Sequence, residues 1–297
     1  MLPFVSRPPG DATAALAAAV AAAAHGQLPA PALLRSGMNA LYSAGDDVVL
    51  RVGRPSVDAS AAAWLGEWLT DRGLRVPRFV HAQPFVVGEL TVLAQVREHS
   101  SGSVDWGAVG AMVSRLHSLD SDERHEVSAH YPTPWCSTFP WWDFESMLVE
   151  VGPDLDIAAR RGIDRALARA DWHSPVDEVV LSHGDVHPGN VIPTADGPVL
   201  LDWDLLCLGP RGWDHGPLIN WTSRWGGETG VYEAFAAGYG TSMRDEPVAE
   251  ALAELRLVAA TLMRVKAGRT DQVAAEEAER RLRYWRGESD APPWTAA

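Results

Sequence analysis

Between His183 and Asp204 the chain reads HGDVHPGNVIPTADGPVLLDWD, which concentrates His183, Asp185, His187, Asn190, Asp202 and Asp204 between short apolar runs. Val191-Ile192 and Val199-Leu200-Leu201 are β-prone, and the Asp196-Gly197 pair between them is a hairpin signal. Folding the two arms antiparallel about that pair brings Asn190 back beside Asp202, with Asp185 one tight loop upstream. An amide and a carboxylate so placed suit a hard cation such as Mg²⁺, which takes carboxylate and carbonyl oxygens and keeps waters and phosphate oxygens. Asp185 is then free to orient a hydroxyl. The same residue types admit a different chemistry, a metal-dependent hydrolase in which His183, Asp185, His187, Asp202 and His215 ligate zinc or a metal pair.

The elements that must carry this stretch follow from periodicity and punctuation. Leu33-Leu34, Ala40-Leu41-Tyr42 and Val48 to Val52 predict three short strands, the last pair turned by Gly45-Asp46-Asp47. In the loop joining the first two, Gly37 lets backbone approach a phosphate and Ser36 or Asn39 can donate hydrogen bonds; an ordinary hairpin turn is the alternative. Val49 and Arg51 fall on one face of the third strand and Leu50 and Val52 on the other, so Arg51 is a lone charge on an apolar strand. It reads either as a cleft-facing phosphate ligand or as a snorkelling edge arginine. A helix is predicted over 57–72, N-capped by Ser56 and stopped by Gly73, with Ala61, Trp64, Leu65, Trp68 and Leu69 on one stripe that Asp58 shares. Pro77 to Val80 and Leu90 to Val96 read as further strands. The polar run Arg97 to Ser103 then marks a boundary between lobes 1–96 and 97–297. Helices are predicted over 12–24, 109–116, 156–171, 230–239, 247–267 and 271–286, which makes the second half mainly helical.

Composition narrows the partners. A net charge of −14 argues against non-specific binding to nucleic-acid backbone and favours cationic ligands. Lys266 is the sole lysine, so a Walker A phosphate loop is excluded. With Cys136 and Cys207 as the only cysteines there is no disulfide framework, and a cytoplasmic protein is expected. No strongly apolar run of about 18 residues occurs, so no membrane span is expected. Pro8-Pro9-Gly10-Asp11 and the weakly apolar Ala run argue for an N-terminal helix over a signal peptide. From His125 to Ala159 there is no Lys or Arg, while acids alternate with Trp135, Trp141 and Trp142. Carboxylates and indole faces together are the chemistry of an amine pocket; core tryptophans beside solvated acids are the alternative.

His183-Gly184-Asp185-Val186-His187-Pro188-Gly189-Asn190, followed by Asp202-Trp203-Asp204, resembles in order and spacing the HGDxHxxN and DW motifs of the aminoglycoside phosphotransferase and choline kinase-like family. Weaker matches lie at the strand holding Arg51, at Val76-Pro77, at Leu116-His117 and at Gly209-Pro210 ahead of Asp214. The resemblance implies an α+β, bilobal protein-kinase-like fold, with a small antiparallel-sheet N-lobe and a larger, mainly helical C-lobe. It implies ATP- or GTP-dependent transfer of the γ-phosphoryl group to a hydroxyl of an amino-bearing acceptor, such as an aminoglycoside or related amino sugar. Asp185 would be catalytic, and Asn190 and Asp202 would hold Mg²⁺. Arg51, Ser36, Gly37, Asn39, Asp58, Gln95 and Val96 would serve the nucleotide. Asp143, Glu145, Trp141, Trp142 and Asp204 would face the acceptor, with loop stabilisation or metal contact as the alternatives for Asp204, while His183, His187 and Asp214 would hold the loop, with approach to phosphate as the alternative for His187. The sequence departs from the kinase pattern in two places. Arg51 stands for the sheet-lobe lysine, and Ala61-Ala62-Ala63 occupy the place of its helix glutamate, so Asp58 is expected to pair with Arg51. HGD in place of HRD, a short stretch after Asp202 and no APE motif disfavour a protein kinase. The missing glutamate also admits a non-catalytic nucleotide-binding module.

Overall fold

The computed structural model describes residues 10–37, 39–54, 58–81, 83–139, 142–170 and 178–295. Packing divides the chain into two compact units that interleave in sequence. The first comprises residues 1–105, 119–133 and 188–206, and the second residues 106–118, 134–187 and 207–297. The hairpin after Asn190 groups with the N-terminal sheet, and Asp185 groups with the helices.

The first unit is built on a five-stranded antiparallel sheet of order β1-β2-β3-β5-β4. Its strands are β1 (Pro31–Arg35), β2 (Ala40–Ala44), β3 (Val48–Gly53), β4 (Phe85–Val87) and β5 (Leu90–Val96). Alternation sorts the faces. Ala40, Tyr42 and Ala44 of β2 and Val48, Leu50 and Val52 of β3 are buried against α1 (Ala12–His25), whose Ala15, Ala18, Ala19, Ala22 and Ala23 let the helix lie close to the strands. Arg51 emerges on the opposite face, toward α2 (Ala59–Asp71), where Ala62, Leu65, Gly66 and Leu69 line a recess with it.

Two local expectations change. Asp58, not Ser56, caps α2, its carboxylate accepting from Ser60 N at 2.9 Å; Ser56 lies outside the described residues. Pro77 to Val80 does not form a strand: Phe79 makes a single bridge to Gln95, with Val80 N–H donating to Ala94 O and Val96 N–H to Arg78 O, both at 2.8 Å. The edge is taken by Phe85–Val87, which turns directly into β5 through Gly88 in a left-handed conformation (φ 59°). Helix α4 (Ser121–His130) also belongs to this unit, started by an Asp120–Glu123 capping box and tied to α2 through Arg72, which pairs with Glu123 at 2.9 Å and Glu126 at 3.2 Å.

The second unit is mainly helical. Its helices are α3 (Trp106–His117), α5 (Phe144–Val151), α6 (Ile157–Arg169), α7 (Gly212–Ile219), α8 (Trp221–Trp225), α9 (Val231–Tyr239), α10 (Pro247–Gly268) and α11 (Gln272–Arg286). Helices α3 and α9 approach at backbone contact: a Cβ on Gly110 would fall 2.0 Å from Phe235 O, and one on Gly238 would fall 1.8 Å from Gly107 O. That approach delivers His117 and Tyr239 to one place. The strand β6 (Val179–Ser182) pairs antiparallel with β9 (Cys207–Pro210), and β6 runs directly into His183. Among the described residues, no helix is long and apolar enough to cross a membrane.

Candidate active site

Each unit carries candidate site residues of its own. In the first unit, β7 (Val191–Thr194) and β8 (Gly197–Leu200) form the hairpin, with Val191 opposite Leu200 and Thr194 opposite Gly197. The turn is Ala195-Asp196, one residue earlier than Asp196-Gly197, because Gly197 (φ 115°) is already paired and Thr194 Oγ1 donates to its carbonyl at 2.7 Å. The register carries past the strands: Leu201 N–H donates to Asn190 O at 2.7 Å, which brings the buried Asn190 opposite the residue before Asp202. Asp202 itself is held in a left-handed conformation (φ 58°, ψ 65°), a backbone state uncommon for non-glycine residues and most accessible to Asp and Asn. Trp203 anchors the turn from below, its Nε1 donating to Leu200 O at 2.8 Å and its carbonyl accepting from Tyr131 Oη at 3.4 Å.

Arg51 is the cation of this unit's site. Its Nη2 lies 2.5 Å from Asp204 Oδ2 and 3.2 Å from Asp202 Oδ1, and Nη1 donates to Asp204 Oδ1 at 3.2 Å. Planar fork and carboxylate meet in the bidentate geometry for which arginine is suited. Burial works to lower the guanidinium pKa, but the charges of Asp204 and Asp202 outweigh it and hold the pKa above its ordinary value. With its amide oxygen turned inward, Asn39 accepts from Arg51 Nε at 3.1 Å and Nη2 at 2.8 Å. Room for that contact comes from Gly53, where a Cβ would meet the Asn39 amide at 2.2 Å. The expected pairing of Arg51 with Asp58 is therefore corrected. Asp58 is exposed and spends its carboxylate on the Ser60 N–H and hydroxyl, whereas Asp204 and Asp202 arrive from the far end of the hairpin. Gln95 lines the recess beside Arg51, and Val96 ends β5; Ser36 and Gly37 lie on the exposed loop, with open space around Gly37.

In the second unit the loop after β6 is held by buried polar groups. Asp214 accepts from His183 N–H and Gly184 N–H, both at 2.8 Å, and from His117 Nε2 at 3.0 Å. Arg211 can only donate, which orders the protons behind it: Arg211 Nη1 donates to the Tyr239 oxygen at 3.1 Å, Tyr239 O–H to His117 Nδ1 at 2.9 Å, and His117 Nε2–H to Asp214. Burial opposes ionisation of Asp214, but the His117 hydrogen bond and the loop amides keep its pKa below the ordinary carboxylate value. Gly184 adopts φ 90°, and Asp185 N–H donates to His183 Nδ1 at 3.1 Å, so the backbone reverses and projects the Asp185 carboxylate, about one-third exposed at 31 %. His187 Nε2 stands 3.4 Å from Asp185 Oδ2, and Arg256 Nη1 stands 3.4 Å from Oδ1. Burial alone would raise the Asp185 pKa; the His187 hydrogen bond, with the charges of His187, Arg256 and His183, drives it well below the usual carboxylate range.

The acid and tryptophan segment is spent differently from an amine pocket. Glu150 pairs with Lys266 at 2.8 Å, Asp154 with Arg269 at 2.7 Å and Asp156 with Arg286 at 2.7 Å, so cations from α10 and α11 answer the missing local ones. Asp143 caps α5 by accepting from Ser146 N at 3.0 Å, and Glu145 is exposed in the first turn. Trp142 is a buried ring packed edge-on against Trp213 at 5.0 Å, and the cation near its face is Arg256. Trp141 lies outside the described residues.

The zinc reading fails on two of its ligands. His183 Nδ1 is taken by the Asp185 amide. His215 is fully buried among Tyr232, Phe235 and Tyr239, its Nδ1 hydrogen-bonded to Tyr232 at 3.2 Å. Burial, reinforced by His117, pushes the His215 pKa down to about 4. Among the described residues, no group of three or more His, Cys, Asp or Glu side chains is placed to hold a metal ion. Asn190 and Asp202 instead offer an amide and a carboxylate, the hard oxygen donors that Mg²⁺ takes together with water and phosphate. Sequence reasoning noted His117 without giving it a role and missed Tyr131, Tyr239 and Arg256. Arg256 had left one trace, a charge between Leu255 and Leu257 on a helix buried along much of its length.

A five-stranded antiparallel sheet carrying a basic residue on β3, followed by a helical unit whose loop presents a fixed aspartate, defines a kinase-like phosphotransferase. The match of the phosphotransferase enzyme family model over residues 33–257 places the chain in that family, whose reaction is phosphoryl transfer to an alcohol group. Solved structures agree on the fold. Macrolide 2'-phosphotransferase MphH from Brachybacterium faecium is 18% identical, with 89% of this chain and 97% of that one covered at a TM-score of 0.54. The GDP and kanamycin complex of APH(2")-IIIa is 14% identical, with 88% and 94% covered at 0.66. Spectinomycin phosphotransferase APH(9)-Ia with ADP and spectinomycin is 14% identical, with 89% and 90% covered at 0.61. A comparison with curated proteins finds no match.

Proposed function

We propose that this protein transfers the γ-phosphoryl group of ATP or GTP to a hydroxyl of an amino-bearing small molecule of the aminoglycoside or amino-sugar kind, in the cytoplasm. The observation that carries the reading is the Asp185 loop: a carboxylate kept ionised and aimed by His183, His187, Arg256 and the Asp214 network. Phosphoryl transfer asks little covalent work of a protein and much positioning and charge neutralisation. Asp185 accepts the hydrogen bond of the acceptor hydroxyl and takes its proton as the new P–O bond forms. Its low pKa suits orientation of the hydroxyl, with proton transfer late in a loose transition state. Arg51, fixed by Asp204 and Asn39, presents its guanidinium to phosphate oxygens. Asn190 and Asp202 would hold Mg²⁺, which when bound neutralises charge on the β- and γ-phosphates. Ser36, Gly37, Gln95 and Val96 border the nucleotide. The net charge of −14 favours a cationic acceptor, as do relatives bound to kanamycin and spectinomycin.

The test is a nucleotide-consumption screen with ATP and GTP over amino sugars, aminocyclitols and amino alcohols, with Asp185→Ala as control. Turnover is expected to fall by roughly two orders of magnitude or more in the variant, as for other removed positioned bases. Equal turnover in wild type and variant would remove Asp185 from the mechanism.

A further inference from the structure

Helix α10 brings the largely buried side chain of Arg256 to the loop after β6. Arg256 is 11 % exposed; its Nη1 lies 3.4 Å from Asp185 Oδ1, its Nη2 donates to Gly184 O, and its guanidinium carbon lies 4.8 Å from the Trp213 ring centre and 5.4 Å from that of Trp142. Two indoles that meet edge to face thus provide the seat, and the loop carbonyl and carboxylate provide the oxygens. The arrangement complements that of Asp214. Asp214 is an anion bound to two loop N–H groups, and Arg256 is a cation bound to the carbonyl of Gly184 and the side chain of Asp185. A planar fork with two donors can hold a carbonyl and a carboxylate in one fixed relation, which a flexible ammonium cannot do as well.

We propose that Arg256 is a positioning residue that sets the rotamer of Asp185 and keeps its carboxylate in the form that receives the acceptor hydroxyl. It acts through Asp185, so its role in turnover rests on the reading of Asp185 above. Its role in holding the carboxylate does not. From the loop itself, His187 Nε2 faces the carboxylate at 3.4 Å, and His183 Nδ1 accepts from the Asp185 backbone N–H at 3.1 Å. Neither spans Gly184 O and the carboxylate together, as the Arg256 fork does.

The full-length protein is labelled with carboxyl-¹³C aspartate, and the Asp185 signal, assigned by its loss in Asp185→Asn, is titrated. Arg256→Met keeps an unbranched apolar stem beside the indoles and removes the guanidinium with its charge. The Asp185 midpoint is expected to rise by about one unit or more, the effect of deleting an adjacent opposite charge. A midpoint within 0.3 units of wild type, roughly the resolution of such a titration, would overturn the proposal, because that is what a merely space-filling arginine gives. The reciprocal measurement uses ¹⁵N-arginine in wild type and in Asp185→Asn and decides the matter if Arg256→Met does not fold. Slow rotation of the Arg256 guanidinium in wild type, released in Asp185→Asn, supports the clamp; identical rotation in both refutes it. Neither arm uses nucleotide or acceptor. Failure here leaves the phosphotransferase reading standing, and failure of the turnover screen leaves these signals unchanged.

Discussion

Replacing Asp214 with asparagine removes one charge and turns an NH₂ toward groups that can only donate. The carboxylate accepts from two backbone amides at 2.8 Å and from His117 Nε2 at 3.0 Å, and it is 0 % exposed. The amide oxygen of asparagine can keep part of this set, so at least one buried N–H loses its acceptor. Losing a hydrogen bond to a buried charged group and leaving its donor unsatisfied costs about 1.5–3 kcal/mol. At about 2–4 °C per kcal/mol for a chain of this size class, the melting temperature should fall by roughly 6 °C. The loss should be measured by thermal unfolding followed by circular dichroism, in a cycle with His117→Gln. Coupling of about 1–3 kcal/mol is expected for groups sharing one hydrogen bond. The sign of the pH dependence is also fixed. The folded pKa of Asp214 lies below its ordinary 3.8, so the stability it contributes is complete above that value and is lost only in stronger acid. The difference between wild type and variant should therefore be the same at pH 8 and pH 5. A fall of less than about 2 °C, corresponding to about 1 kcal/mol or less, or an additive cycle would refute this account of the loop.

Further expectations follow from the same geometry. Asp204→Ala should weaken nucleotide binding by roughly tenfold, about 1.4 kcal/mol for a lost bidentate arginine partner, as read by calorimetric titration with ATP. Asp58→Ala should leave that affinity unchanged and cost about 1 kcal/mol of stability as a lost helix cap, seen in the denaturation midpoint. If the two variants exchanged these phenotypes, Arg51 would be held from α2 after all. His215 is buried neutral with its pKa pushed down to about 4 from 6.5, so the unfolded chain binds the proton first. Stability should be full above about pH 6.5 and decline toward pH 4 by a few kcal/mol at most. Comparing urea unfolding of wild type and His215→Phe across that range checks it, with a flatter profile expected in the variant.

Local pattern was enough for elements with strong period or strong punctuation, such as β2, β3, α1, α6 and α9 to α11. It failed where two segments had equal claims. Pro77 to Val80 and Phe85 to Val87 are both short apolar runs, and only tertiary access to the edge of β5 separates them. Helix α4 buries only Val127 among its residues, so hydrophobic spacing could not reveal it, though the Asp120 and Glu123 pair that starts it was present as a capping signal. In the site, residues 183–190 and 202–204 were legible because their chemistry is concentrated in sequence. The partner of Arg51 was not: Asp204 is 153 positions away, and a nearby acid on a plausible helix face was the local substitute. Arg256 lies 71 positions from Asp185, beyond any local rule. The acidic stretch 125–159 illustrates the same limit, since the cations that neutralise most of its acids come from α2, α10 and α11.

The central claim is that Asp185 aims an acceptor hydroxyl at the γ-phosphorus. Its most direct test is a ³¹P NMR assay of wild type and Asp185→Asn with MgATP and the best acceptor of the screen. The account predicts an acceptor phosphomonoester signal growing in step with ADP in wild type, and its rate reduced by roughly two orders of magnitude in Asp185→Asn while ATP still binds. Phosphoryl transfer at the wild-type rate in Asp185→Asn, or ADP formed with inorganic phosphate and no phosphorylated acceptor in wild type, would contradict it.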